Sequence, residues 1–205
     1  MKRHGRWWVL ALALVELGGF GSAAAPAGPG DPARRPAQKP REGAGFKMEF
    51  PEVEGWRHGE KRPLPSETGA FSVAYNSDNG IAVTVYVYTR GHRDIPPGVN
   101  SDLIRKEFAD SKAGIQEAKR LGLYKSVVEK SSGEARLGDG PKAPLALHAS
   151  YLVETARGEA KSDLYVMVYR GRFIKFRCTR PAGDNAAREK SLARLLSKFG
   201  AALSE

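Results

Sequence analysis

A chain of 205 residues, 41% hydrophobic and 27% charged, has apolar material for one domain-sized core rather than several. Its formal charge of +10 favours acidic partners, whether nucleic acid, anionic lipid or acidic protein. A single cysteine, Cys178, excludes an internal disulfide as a source of stability.

The first residues predict export. Lys2, Arg3 and Arg6 precede an apolar run from Trp7 to Val15, and small residues follow at Ser22, Ala23, Ala24 and Ala25. That is the order of a secretory signal peptide, with cleavage expected after Ala24. The apolar run is too short to span a bilayer, which takes about 20 residues. An uncleaved N-terminal anchor is the alternative. Export removes genomic DNA and cytosolic RNA from the natural partners, so no nucleic-acid partner is expected. Residues 25–45, "APAGPGDPARRPAQKPREGAG", contain nothing large and apolar to bury and read as a Pro/Gly-rich disordered linker. Arg34, Arg35, Lys39 and Arg41 make it basic.

The folded domain is expected over 46–203. "FKMEF" alternates Phe46, Met48 and Phe50 with charged residues, the period of a strand, and Pro51 ends it. "GWRHGEKRPLPSETG" reads as a loop. "AFSVAYN" and "IAVTVYVYT" read as strands joined by the "SDNG" turn. Asn100 or Ser101 then caps a helix whose stripe is Ile104, Phe108, Ser111, Ile115 and Ala118, with Arg105, Lys106, Glu107 and Lys112 outward and Gly122 as its stop. "YKSVVEK" is a short strand, "SSGEARLGDGPKAP" a turn-rich connection, and "LALHASYLVE", "SDLYVMVY" and "FIKFRCTR" are further strands. Asp184 or Asn185 caps a last helix bearing Leu192, Leu195, Leu196 and Phe199, with Gly200 as its stop. The order βββ-α-ββββ-α with short turns predicts an α+β domain, an antiparallel sheet covered by two main helices.

The segment from Tyr169 to Pro181, "YRGRFIKFRCTRP", is unusually basic and holds the cysteine. A three-residue Arg170–Gly171–Arg172 loop would pair Tyr169 with Phe173 and Leu164 with Cys178. Leu164, Val166, Val168, Ile174, Phe176 and Cys178 would then share an apolar face, making Cys178 a buried structural thiol rather than a nucleophile. Tyr165, Tyr169, Lys175 and Arg177 would share the other face, with Arg170 and Arg172 at the tip. Tyr86 and Tyr88 would extend the patch if their strand lies beside it. These six tyrosine, arginine and lysine residues are the candidate binding surface for an acidic protein or an anionic envelope component, peripheral membrane contact included. A solvated or helix-covered face is the alternative.

Other constellations are weak. His58, His92 and His148 lack metal-ligand spacing, and His58 sits only loosely among Glu52, Glu54 and Glu60. No nucleophile elbow or phosphate loop occurs. No metal, no cofactor and no catalytic set is expected. A small-ligand carrier, or a hydrolase that uses scattered Ser, His and carboxylate groups without a motif, remain the competing readings, the hydrolase losing its activity with His148→Ala or His92→Ala.

The "FPEVEGW" opening, the element order and the "YVMVYRGRFIKFRCTRP" hairpin before a last helix resemble the PsbP/Mog/DcrB-like superfamily over most of residues 46–203. The resemblance implies an antiparallel sheet between helices and a non-catalytic scaffold. Its photosystem-associated members bind a membrane complex, its Ran-binding members bind a GTPase, and its bacterial members are often envelope proteins. No functional residue carries over, because these members use different surfaces. The expectation is therefore an exported, non-catalytic binding or accessory protein of the bacterial envelope.

Overall fold

The computed structural model describes residues 46–204. The expected signal peptide and linker lie outside the described residues. Four strands precede the first helix: β1 (Trp56–His58), β2 (Arg62–Pro63), β3 (Phe71–Ser77) and β4 (Ala82–Tyr88). Helix α1 (Asp102–Arg120) follows, then β5 (Ser126–Arg136), β6 (Leu145–Thr155), β7 (Gly158–Tyr169), β8 (Arg172–Pro181) and helix α2 (Ala186–Ala202). The strands form one antiparallel sheet in the order β1-β3-β4-β8-β7-β6-β5, with β2 also on β3. The expected α+β class and two covering helices hold.

The helices take opposite faces. Val83, Val85 and Val87 of β4 pack in one core with Leu192, Leu195, Leu196 and Phe199 of α2. Tyr86 and Tyr88, the alternate residues, pack in the other with Ile104, Ile115 and Ala118 of α1. Residues one apart on a strand point to opposite faces, so a central strand covered on both sides must be apolar throughout, as "AVTVYVY" nearly is. Ser101 caps α1 through its hydroxyl, which accepts from the Ile104 amide, and Asn185 caps α2 in the same way towards Arg188.

Several local expectations need correction. "FKMEF" joins no ladder: Phe46, Met48 and Phe50 are half-buried against the α2-side core, while Lys47 and Glu49 are exposed. The alternation reported one buried side, not a strand with partners. The "GWRHGEKRP" loop holds β1 and β2 instead. β5 runs on through "SSGEAR", helped by a bulge between Glu129 and Ser131 that reseats its pairing with β6. Most of β5 is exposed, because it is a sheet edge and only one partner strand covers it.

Glu107, expected outward, is buried. It accepts from the Tyr88 hydroxyl at 2.6 Å and pairs with Arg90 at 3.0 Å, which ties α1 to the end of β4. Gly200 does not stop α2, which continues to Ala202 and is capped by Leu203. Gly200 is buried instead, pressed against the Leu137 carbonyl. Gly114, by contrast, lies on the exposed side of α1 with open space where a Cβ would sit. Gly114→Ala is expected to stabilise the fold by about 1 kcal/mol, the helix-propensity difference, read as a higher urea midpoint.

Candidate functional site

The β7–β8 hairpin closes on two residues, not three. Arg170 (φ 47°) and Gly171 (φ 71°) both take left-handed backbone, the geometry of a tight turn whose twist matches its strands. Tyr169 therefore pairs with Arg172, Val166 with Lys175, Leu164 with Arg177 and Asp163 with Cys178. The register is one residue away from the expected one, so the residues of β7 exchange faces relative to those of β8. Tyr165 and Tyr169 lie on the α2 side with Ile174, Phe176 and Cys178. Lys175 and Arg177 lie on the α1 side. The four-residue patch expected on one face is thus divided between two.

Each half has its own role. Lys175 sits over the rings of Tyr86 and Tyr88, 4.7 and 5.1 Å from their centroids. The extension of the patch towards these two tyrosines is therefore real for the lysine. Arg177 is buried at 9% exposure beneath the α1 side. Tyr165 stacks on His148, with ring centroids 4.4 Å apart. Cys178 is fully buried, and desolvation first, then the Asp163 charge, pushes its thiol well above the ordinary range. The expected burial of Cys178 holds.

The two tip arginines join a different group. Strand pairing brings Arg172, the end of β4, the start of β3 at Phe71 and the β2 residues Arg62 and Pro63 to one end of the sheet. The Arg172 guanidinium lies 4.8 Å from the Phe46 ring centroid and donates to the Gly69 carbonyl at 3.4 Å. Arg170 lies 5.0 Å from the Tyr169 ring and reaches the Lys47 carbonyl. Lys61 lies 4.9 Å from the Phe71 ring and 5.6 Å from that of Phe50. The rings brace one another, Phe46 edge-on to Tyr169 at 6.3 Å and Phe50 tilted on Phe71 at 5.9 Å. Cations are thus positioned by aromatic faces. Among the described residues, no carboxylate pairs with Lys47, Lys61, Arg62, Arg170 or Arg172. Their charge is available to an outside anion.

Sequence reading found Arg170 and Arg172 but missed Lys47, Lys61, Arg62 and Phe46. The "EKRP" run was visible, yet nothing local says that it folds beside a hairpin more than a hundred residues away.

A second polar cluster lies on the α2 side of β6–β8. His148 Nε2 is 3.3 Å from an Asp163 oxygen, and the other Asp163 oxygen accepts from Arg180. Arg180 also donates to Glu189 of α2 at 2.8 Å. Burial works to raise the Asp163 pKa, but the His148 hydrogen bond and the Arg180 charge outweigh it and hold the carboxyl below its usual range. The aspartate's charge is consumed by a structural arginine.

Two open grooves mark the surface. One, about 340 Å³, runs between α1 and β5–β6 past Arg105, Phe108 and Leu147. The other, about 410 Å³, holds Glu52, Glu54 and His58 beside Tyr75. His58 lies 5.1 Å from the Tyr75 ring there, facing an aromatic rather than a carboxylate.

No protein-family profile matches the sequence, and no curated protein does. Solved structures do match by shape. The cyanobacterial PsbP (CyanoP) of Synechocystis is similar over 76% of this chain and 83% of its own, with a TM-score of 0.43 and 12% identity. The Ran-binding protein Mog1p of Saccharomyces cerevisiae is similar over 64% of this chain and 75% of its own, with a TM-score of 0.32 and 8% identity. The fold resembles the PsbP/Mog1 one. That is the resemblance expected from the element order and the hairpin, and at these identities it concerns the fold alone.

Proposed function

We propose that the chain is an exported binding module that docks on an acidic envelope partner through the basic, aromatic-braced end of its sheet. The observation that carries this reading is the pre-positioned, unneutralised charge of Arg170, Arg172 and Lys61. Holding long basic side chains against rings lowers the entropy lost when they bind. It also leaves the N–H groups not given to the Lys47 and Gly69 carbonyls for carboxylate or phosphate oxygens. The segment before Phe46 adds Arg34, Arg35, Lys39 and Arg41 to the same sign of charge. No catalytic role is proposed, since the dyad of His148 and Asp163 is tied to Arg180.

The test is co-purification from the native envelope with the double variant Arg170→Glu/Arg172→Glu beside the wild type. Arg170 is exposed and Arg172 only half-buried, so the variant's melting temperature should stay within a few degrees. The expected result is a partner retained by the wild type at low salt, released at 1 M salt, where screening shortens to about 3 Å, and lost by the variant. Equal retention by both proteins would sink the assignment of this surface.

A further inference from the structure

We propose that Arg177 anchors a buried site for one small anion of chloride size between the sheet and α1. Arg177 is nine-tenths buried, and neither Nη1 nor Nη2 has a hydrogen-bond partner. Such a guanidinium is always charged and can only donate. Tyr151 on β6 lies on the same face, and its buried hydroxyl also has no partner. The two groups sense one another: burial and then Glu129 push the Tyr151 phenol up to about 12, while the Arg177 charge pulls the other way.

The surroundings supply hydroxyls rather than counter-charge. Arg177 lies between Thr84 of β4 and Leu164 of β7, and the Ser162–Thr179 hydroxyl pair is the next step along the same face. Two acids of this side are already engaged. Glu107 takes Tyr88 and Arg90, and Glu129 takes Lys112 at 2.7 Å. Asp163 and Glu189 serve Arg180 on the opposite side of the sheet. Lys175, the neighbouring cation, only adds positive charge. A desolvated guanidinium whose terminal nitrogens have no hydrogen-bond partner is costly for a core to hold. A monovalent anion between the guanidinium and the phenol satisfies both donors and neutralises the charge. Neither of the two open grooves described is lined by Arg177, so neither brings a large ligand to it.

The test compares urea midpoints of the purified protein in sodium chloride and in sodium gluconate of equal ionic strength. Gluconate is too large for the site. The expected result is a saturable rise with chloride, accompanied by chlorine NMR line broadening, both absent in Arg177→Met. Tyr151→Phe, which removes one donor and keeps the ring, should raise the half-saturating chloride about tenfold. Identical midpoints in the two salts would overturn the site. So would an undiminished chloride effect in Arg177→Met. If that variant folds poorly, Tyr151→Phe decides: an unchanged half-saturation point also overturns the proposal.

Discussion

Arg180→Met is expected to destabilise the fold by about 3–5 kcal/mol at neutral pH, the range for removing one partner of a buried ion pair. Methionine fills much of the arginine's volume, so the loss is electrostatic rather than a cavity. Asp163 keeps only His148 as a polar partner, and Glu189 loses its hold on β8. The pH dependence carries the diagnostic. In the wild type the Asp163 pKa is depressed relative to the unfolded chain. The stability it contributes is therefore complete above the unfolded carboxylate value, about 3.9, and is lost as pH falls through the lower folded value. Without Arg180 the folded pKa rises, so the variant's deficit should be largest near pH 7 and shrink as Asp163 protonates. Urea unfolding from pH 3 to pH 7 measures this. A deficit independent of pH would mean that the arginine acts through packing alone.

The second large effect is expected at Gly200, with the sign reversed from ordinary helix rules. Alanine in mid-helix normally gains about 1 kcal/mol over glycine. At position 200 a Cβ would meet the Leu137 carbonyl oxygen at 1.8 Å and its carbon at 3.0 Å. Both atoms are backbone, so no rotamer relieves the clash. The contact is reciprocal, since a Cβ at Gly138 (φ 107°) would meet the Ser197 Cα at 2.7 Å. Helix α2 and the β5–β6 turn are packed backbone to backbone, and Ser197 bonds Asp139 across the same seam at 2.9 Å. Gly200→Ala should cost about 3 kcal/mol, at the upper end for overpacking, whereas Gly114→Ala should be favourable. The urea midpoints of the two variants, moving in opposite directions, check the pair. A Gly200→Ala midpoint equal to the wild type would remove the close approach.

Periodicity made most of this architecture legible. The α2 stripe of Leu192, Leu195, Leu196 and Phe199 and the caps at Ser101 and Asn185 were readable because each depends on residues within two turns. What escaped were features set by partners distant in sequence. Glu107 reads as an outward helix residue until Tyr88 and Arg90 are seen beneath it. Gly200 reads as a stop until Leu137 arrives against it. The hairpin shows how little separates two readings. Arg170 accepts a left-handed backbone that glycine would hold more easily, the loop shortens by one residue, and a single basic-aromatic face becomes two. The basic, aromatic-braced end of the sheet escaped for the same reason: Phe46, Lys61 and Arg172 meet only after the sheet is assembled.

The edges of the sheet bear on how the protein behaves at high concentration. An unpaired strand is a template for another chain, and filaments grow by such additions. β1 offers only three residues at one border. At the other, the kink between Glu129 and Ser131 interrupts the row of free amides and carbonyls, and Glu129, Lys130, Glu134 and Arg136 set alternating charges along it. An incoming strand would lose register at the kink and would have to accommodate these charges. The sheet thus leaves no long, flat border on which a fibril could start.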